Sequence, residues 1–106
     1  MKCSHQEEIS VVLNRQEVES ISNLYKVLGE KNRLGIVYML NQKEMCVHEL
    51  TKRLEVSQSL VSHQLKILRD SKVVKTKRRG NEIVYSLVDE HIVKLLEIVK
   101  EHLSEE

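Results

Sequence analysis

The sequence predicts a mainly α-helical domain that carries a single β-hairpin. Apolar residues recur at helical spacing in four segments before residue 70 and again after residue 88. Two short β-like runs, 73–77 and 82–87, bracket Arg78-Arg79-Gly80-Asn81, a hairpin turn signal. No repeat, linker or low-complexity stretch divides the 106 residues, so one small domain is expected.

The elements follow in order. Residues 1–14 mix polar and apolar side chains and are expected to form an N-terminal arm, with 15–106 as the folded domain. Residues 16–28 place Val18, Ile21, Leu24, Tyr25 and Leu28 on one helical face, and Gly29 marks the stop. Asn32 is suited to cap a second helix carrying Leu34, Ile36, Val37, Met39 and Leu40. The turn Asn41-Gln42-Lys43-Glu44 leads through Met45-Cys46-Val47 to a short helix near 48–54. After a tight connection at Glu55-Val56, Ser57 is a good N-cap for a helix to about Arg69, with Leu60, Val61, Leu65 and Leu68 inward. The hairpin comes next. Val88-Asp89 then opens a final helix to about Leu103, with the apolar stripe Ile92, Leu95, Leu96 and Val99. Two short helices joined by a tight turn and followed by a hairpin describe a winged helix-turn-helix. A core this small gains from burying more surface, so a homodimer is expected.

Charge is balanced overall, at a formal net charge of +1, but it is not evenly spread. Residues 66–79 hold Lys66, Arg69, Lys72, Lys75, Lys77, Arg78 and Arg79 against Asp70 alone. A basic patch on a neutral protein points to a polyanion held at one surface. On the helix that follows Ser57, residues Gln58, Ser59, Ser62 and His63 face away from the apolar side. Short polar side chains there can meet base edges and phosphates, and glutamine can read adenine. Lys66 follows along the backbone, and Lys75, Lys77, Arg78 and Arg79 offer the wing to phosphate. The expected partner is double-stranded DNA. His63 reads as a DNA contact rather than a metal ligand.

The last eighteen residues carry Asp89-x-His91 and His102-x-x-Glu105. At about 1.5 Å and 100° per residue, His91 and His102 share nearly one face but stand roughly 16 Å apart. One metal ion cannot touch both. A single site needs the first pair from one helix and the second from an antiparallel copy. Two equivalent sites across a two-fold dimer follow, each with two imidazoles and two carboxylates, a set that suits zinc. Asp89 taken singly is also a good helix cap. A second candidate set is Cys46 and His48, with Cys3 and His5 in the arm. Cys46 reads equally as a small core residue.

Two cysteines make no disulfide framework, no apolar run spans a membrane, and the amino terminus lacks a signal-peptide core. A cytoplasmic protein is expected. No nucleophile or phosphate-cradling loop is evident, and all four zinc donors are protein side chains, so an enzyme is not expected.

Three segments together resemble the ArsR/SmtB family of metal-sensing repressors. Glu44-Met45-Cys46-Val47-His48-Glu49-Leu50 is similar to its ELCVCDL-type segment, and Ser57-Gln58-Ser59-Leu60-Val61-Ser62-His63-Gln64-Leu65 to its recognition helix. Lys77-Arg78-Arg79-Gly80-Asn81-Glu82-Ile83-Val84-Tyr85-Ser86-Leu87 is similar to its wing, and Asp89-x-His91 opens its last helix. The resemblance implies a homodimeric repressor that leaves operator DNA when metal binds, derepressing efflux or sequestration genes. It implies the zinc-sensing set Asp89, His91, His102 and Glu105, with Co(II) as a near fit. It also implies a second site at Cys46, where the family's cadmium- and lead-sensing branch has Cys-x-Cys and this chain has Cys46-x-His48. In the zinc-type branch the second ligand would fall at Glu49, so His48 and Glu49 compete. Thiolate at Cys46 leaves Cd(II) or Pb(II) open, and a regulator responding through Cys3 and Cys46 to thiol oxidation is the alternative reading. A further expectation is that His102 uses its second ring nitrogen on the backbone near Lys72.

Overall fold

A computed structural model describes residues 12–105. Its elements are α1 (Arg15–Leu28), α2 (Lys31–Gln42), β1 (Met45–Cys46), α3 (Val47–Leu54), α4 (Gln58–Asp70), β2 (Val74–Arg79), β3 (Glu82–Leu87) and α5 (Glu90–Ser104). The strands form one antiparallel sheet in the order β1-β3-β2. This is the winged helix-turn-helix arrangement: α3 and α4 meet at the tight turn and β2–β3 is the wing.

Local chemistry sets the boundaries. Asn14 and Glu17 form a reciprocal capping box at the start of α1, with N–H to side-chain distances of 2.8 and 2.9 Å. At the other end Gly29 is right-handed, so its conformational freedom is not what the chain uses. A Cβ there would sit 3.0 Å from the Tyr25 carbonyl oxygen, and its absence permits the close ending. Asn32 does not cap α2. Glu30 does, accepting the Arg33 N–H at 2.9 Å, which leaves Asn32 inside the first turn. The Glu30 carboxyl is held below its usual range, chiefly by the Arg33 N–H and then by that of Asn32. Asn41 and Gln42 extend α2 rather than forming a turn.

Ser57 caps α4 as expected, its hydroxyl accepting from the Leu60 N–H at 3.1 Å. The helix-turn-helix corner is closed by Glu55 in the left-handed region, φ 56°. A second left-handed residue, Lys72 at φ 62°, ends the connection from α4 into β2. The wing turn is the two residues Gly80-Asn81, with φ +64° at the glycine. Arg78 and Arg79 therefore belong to β2, paired with Ile83 and Glu82, not to the turn. The hairpin also gains a third strand: Met45 and Cys46 pair with Tyr85 and Val84.

The core gathers Ile36, Val37 and Leu40 of α2, Met45, Leu50 of α3, Val61, Leu65 and Leu68 of α4, Val73, Val74 and Leu87. Leu60 is only half-buried, and Gln64 takes a core position instead. Leu96 is the buried residue of α5, and Ile92 and Leu95 are half-buried against the core. The Tyr38 hydroxyl donates to the Leu96 carbonyl at 2.8 Å, tying α2 to the middle of α5. Val99 does not join this core. With Ile98 at 65% and Leu103 at 59% exposure, it leaves an open apolar strip on the outer half of α5. Val18, Ile21 and Tyr25 are likewise exposed on α1.

Candidate nucleic-acid interface and metal ligands

The α4 helix separates its two faces cleanly. Val61, Gln64, Leu65 and Leu68 are buried, whereas Gln58, Ser59, Ser62, His63 and Lys66 are exposed together on the opposite side. Core packing thus fixes the helix while its polar side stays open to solvent. Lys66 pairs with Asp70 one turn on, at 3.1 Å. A pair this exposed is weak, so it leaves the lysine free to exchange.

Gln64 is the residue that sequence reasoning missed. It is 7% exposed, and its amide oxygen accepts from Arg33 Nη1 at 2.9 Å. The same guanidinium donates from Nε to the Val27 carbonyl at 2.8 Å and lies 3.9 Å from Glu30. Arg33 therefore joins the end of α1, the cap of α2 and the recognition face's own helix. A glutamine amid polar recognition residues reads as surface in the sequence. Only its place between Val61 and Leu65 on the inward face hints otherwise.

All four wing cations are exposed. Lys77 and Arg79 reach Glu44 at 3.2 and 3.4 Å, and Arg79 lies 3.9 Å from Glu82. Lys75 and Arg78 have no carboxylate partner among the described residues.

Asp89 is the cap of α5, and the cap uses only one of its carboxylate oxygens. Its Oδ1 caps α5, accepting from the N–H groups of His91 and Ile92 at 3.0 and 3.2 Å. Its Oδ2 lies 3.6 Å from His91 Nδ1. The cap thus consumes one oxygen and leaves the other beside an imidazole. The Ile92 N–H is the main reason its carboxyl is held below the usual range, with the His91 side chain and N–H adding to it. His102 lies in the last turn of α5, and Glu105 is the residue that ends it; both are exposed. The His102 side chain makes no hydrogen bond among the described residues, to the backbone near Lys72 or elsewhere. No three His, Cys, Asp or Glu side chains converge to hold an ion among the described residues. The pairs at the two ends of α5 stay apart, as eleven residues of helix require.

At the second candidate set, Cys46 is a half-buried free thiol just before α3, His48 is exposed, and Glu49 is held by Lys43 at 2.9 Å and Arg53 at 3.9 Å. The Lys43 contact is the main cause of its lowered pKa. Glu49 is thus engaged by cations, which leaves His48 the less encumbered of the two. Cys3 and His5 lie outside the described residues. No described helix is long and apolar enough to cross a membrane.

Comparison with known proteins agrees with this geometry. A family model described as "Bacterial regulatory protein, arsR family" matches residues 30–76, the span from α2 into β2. The chain is 36% identical over 94 residues to a transcriptional repressor SmtB homolog of Synechocystis sp., covering 89% of this chain and 71% of that one. It is 31% identical over 86 residues to a cadmium resistance transcriptional regulatory protein CadC homolog of Staphylococcus aureus, covering 80% and 71%. Among solved structures, HlyU from Vibrio cholerae superposes with a TM-score of 0.75 at 30% identity, covering 82% of this chain and 95% of that one.

Proposed function

The chain belongs to the ArsR family of bacterial regulatory proteins, and we propose that it represses transcription as a homodimer on operator DNA and releases it on binding Zn(II) or a related divalent ion. The observation that carries the metal half of this reading is the split donor set on α5. Asp89 and His91 sit together at its start, His102 and Glu105 at its end, and no chain can close them on one ion. The open apolar strip beside them, with that on α1, supports an antiparallel pairing of two α5 helices. Two imidazoles and two carboxylates fit a four-coordinate zinc site. Bound there, the ion supplies a cross-link between two protomers.

The chain's own contacts suggest how that cross-link reaches DNA. Asp89 Oδ1 stays in the helix cap, so a ligand pull on Oδ2 acts on the start of α5 as a whole. Leu96 and the Tyr38 hydroxyl tie α5 to α2. Arg33 ties α2 to Gln64 and so to α4. A change in how two α5 helices pair thereby alters the spacing of two recognition helices, and operator half-sites demand a set spacing. A coupling of ~1–3 kcal/mol corresponds to about 5–150-fold in affinity.

Fluorescence anisotropy of labelled promoter DNA with and without Zn(II) tests the reading. The wild-type chain is expected to bind DNA and lose it as zinc is added. His102→Gln is expected to bind DNA to within about twofold of wild type and to keep it in zinc. Release of H102Q at the wild-type zinc concentration would contradict the assignment of the site.

A further inference from the structure

Glu44 belongs to neither donor set. It lies in the turn between α2 and β1, whereas Lys77 and Arg79 stand on β2, and β3 runs between. To meet its carboxylate at 3.2 and 3.4 Å, both cationic side chains must span the width of the middle strand. The register explains the route. Lys77 pairs with Val84, and Val84 pairs with Cys46, so all three share one face and Lys77 crosses above a valine that is 1% exposed. The Glu44 side chain is 30% exposed against 63% for Lys77 and 52% for Arg79, so the acid is the sheltered partner. Half of the wing's cations are thus folded back over the sheet onto one carboxylate.

We propose that Glu44 is an internal stand-in for DNA phosphate. It holds Lys77 and Arg79 in the DNA-free protein, and the wing grips DNA by exchanging this carboxylate for phosphate oxygens. The inference rests on the DNA-binding reading above. Carboxylate and phosphate offer ammonium and guanidinium groups the same kind of charge-assisted hydrogen bond. The two differ in number: one carboxylate serves two cations here, whereas duplex DNA presents a phosphate charge about every 1.7 Å of axis. DNA therefore wins the exchange, but it must first displace Glu44. The consequence is a brake on phosphate binding that acts on every sequence alike, because these contacts carry no base information. An opposite role, in which Glu44 aligns the two cations for DNA, predicts the opposite sign.

The test uses the metal-free full chain and a fluorescein-labelled 30-base-pair duplex of mixed sequence, by anisotropy from about 25 to 150 mM salt, a range over which phosphate contacts dominate. Glu44→Gln keeps the shape and removes the charge. It is expected to bind about three- to tenfold tighter, since exposed pairs are weak. Its log–log salt slope should change by less than the roughly 0.9 of one phosphate contact, because the wild type makes the same contacts once Glu44 is displaced. Glu97→Gln adds the same charge on an exposed position of α5, away from His91 and His102, and should gain less than about twofold, given screening. Lys77→Gln should cost more in the E44Q background than in wild type, because only there is its charge unclaimed. Unchanged or weaker binding by E44Q with an unaltered melting curve overturns the proposal, as does an equal cost of K77Q in both backgrounds. Failure of the wild-type chain to bind the duplex at 25 mM salt overturns the DNA-binding reading and this proposal with it.

Discussion

Replacing Arg33 by Met isolates the contact that seats the recognition helix. The substitution keeps an unbranched apolar stem but removes two donors, to Gln64 at 2.9 Å and to the Val27 carbonyl at 2.8 Å. The Arg33 side chain is 15% exposed and Gln64 7%, so water replaces neither donor easily. A hydrogen bond from a charged donor contributes ~1.5–3 kcal/mol, and an orphaned buried acceptor costs ~1–3. These figures overlap rather than add, and Val27 at a helix end regains some water. The expected loss is about 3 kcal/mol, a large share of a stability of about 5–15. Gln64→Leu alone leaves one donor of a mostly buried guanidinium unpaired while its Nε stays on the Val27 carbonyl, and should cost about 1.5–3 kcal/mol. The double variant removes both polar groups and should recover about 1–2 kcal/mol relative to the sum. Urea unfolding at one fixed protein concentration measures all three, so that association contributes equally to each. A loss below about 0.5 kcal/mol for R33M, or strict additivity in the double variant, would refute the reasoning.

Other consequences follow from single residues. Lys72 holds φ 62° on an exposed turn, so Lys72→Gly should raise stability by about 1 kcal/mol, seen as a higher melting temperature. Ser57→Ala removes the hydroxyl that caps α4 and should cost about 1 kcal/mol in urea unfolding. Glu30 has a folded pKa below its ordinary value near 4.5, so its contribution is present above that value and is lost as pH falls through the lowered one. Melting curves below about pH 4.5 should therefore fall more steeply for wild type than for Glu30→Gln; equal slopes would remove Glu30 from the acid response.

The sequence made the helices legible because each carried its period and most carried a recognisable end. Ser57 and Asp89 are short polar caps at the positions where their helices begin. Glu30 was not legible, since glutamate reaches the N–H three residues on only by bending a longer side chain back, and Asn32 nearby has the commoner cap chemistry. The third strand was not legible either: Met45 and Cys46 are too few to show an alternation, and their pairing depends on Tyr85 and Val84, some forty positions later. The exposed polar face of α4 was readable from its period. The burial of Gln64 was not, because its partner Arg33 lies 31 positions away. The same holds for Glu44, 35 positions from Arg79. The split between the donor pairs of α5 could be read from helix geometry alone, because an unbroken helix fixes the distance between its ends.

Mixing two crippled chains tests the shared metal site most directly. One chain carries His91→Ala and keeps His102 and Glu105; the other carries His102→Gln and keeps Asp89 and His91. Refolded together, a mixed dimer holds one site with both histidines and one with neither. With Cys3 and Cys46 replaced by Ser in both chains to silence the second candidate set, zinc titrated against a chromophoric chelator should find no tight site in either variant alone and one per mixed dimer. Tight zinc binding by either variant alone, or none after mixing, would contradict a site built from two chains.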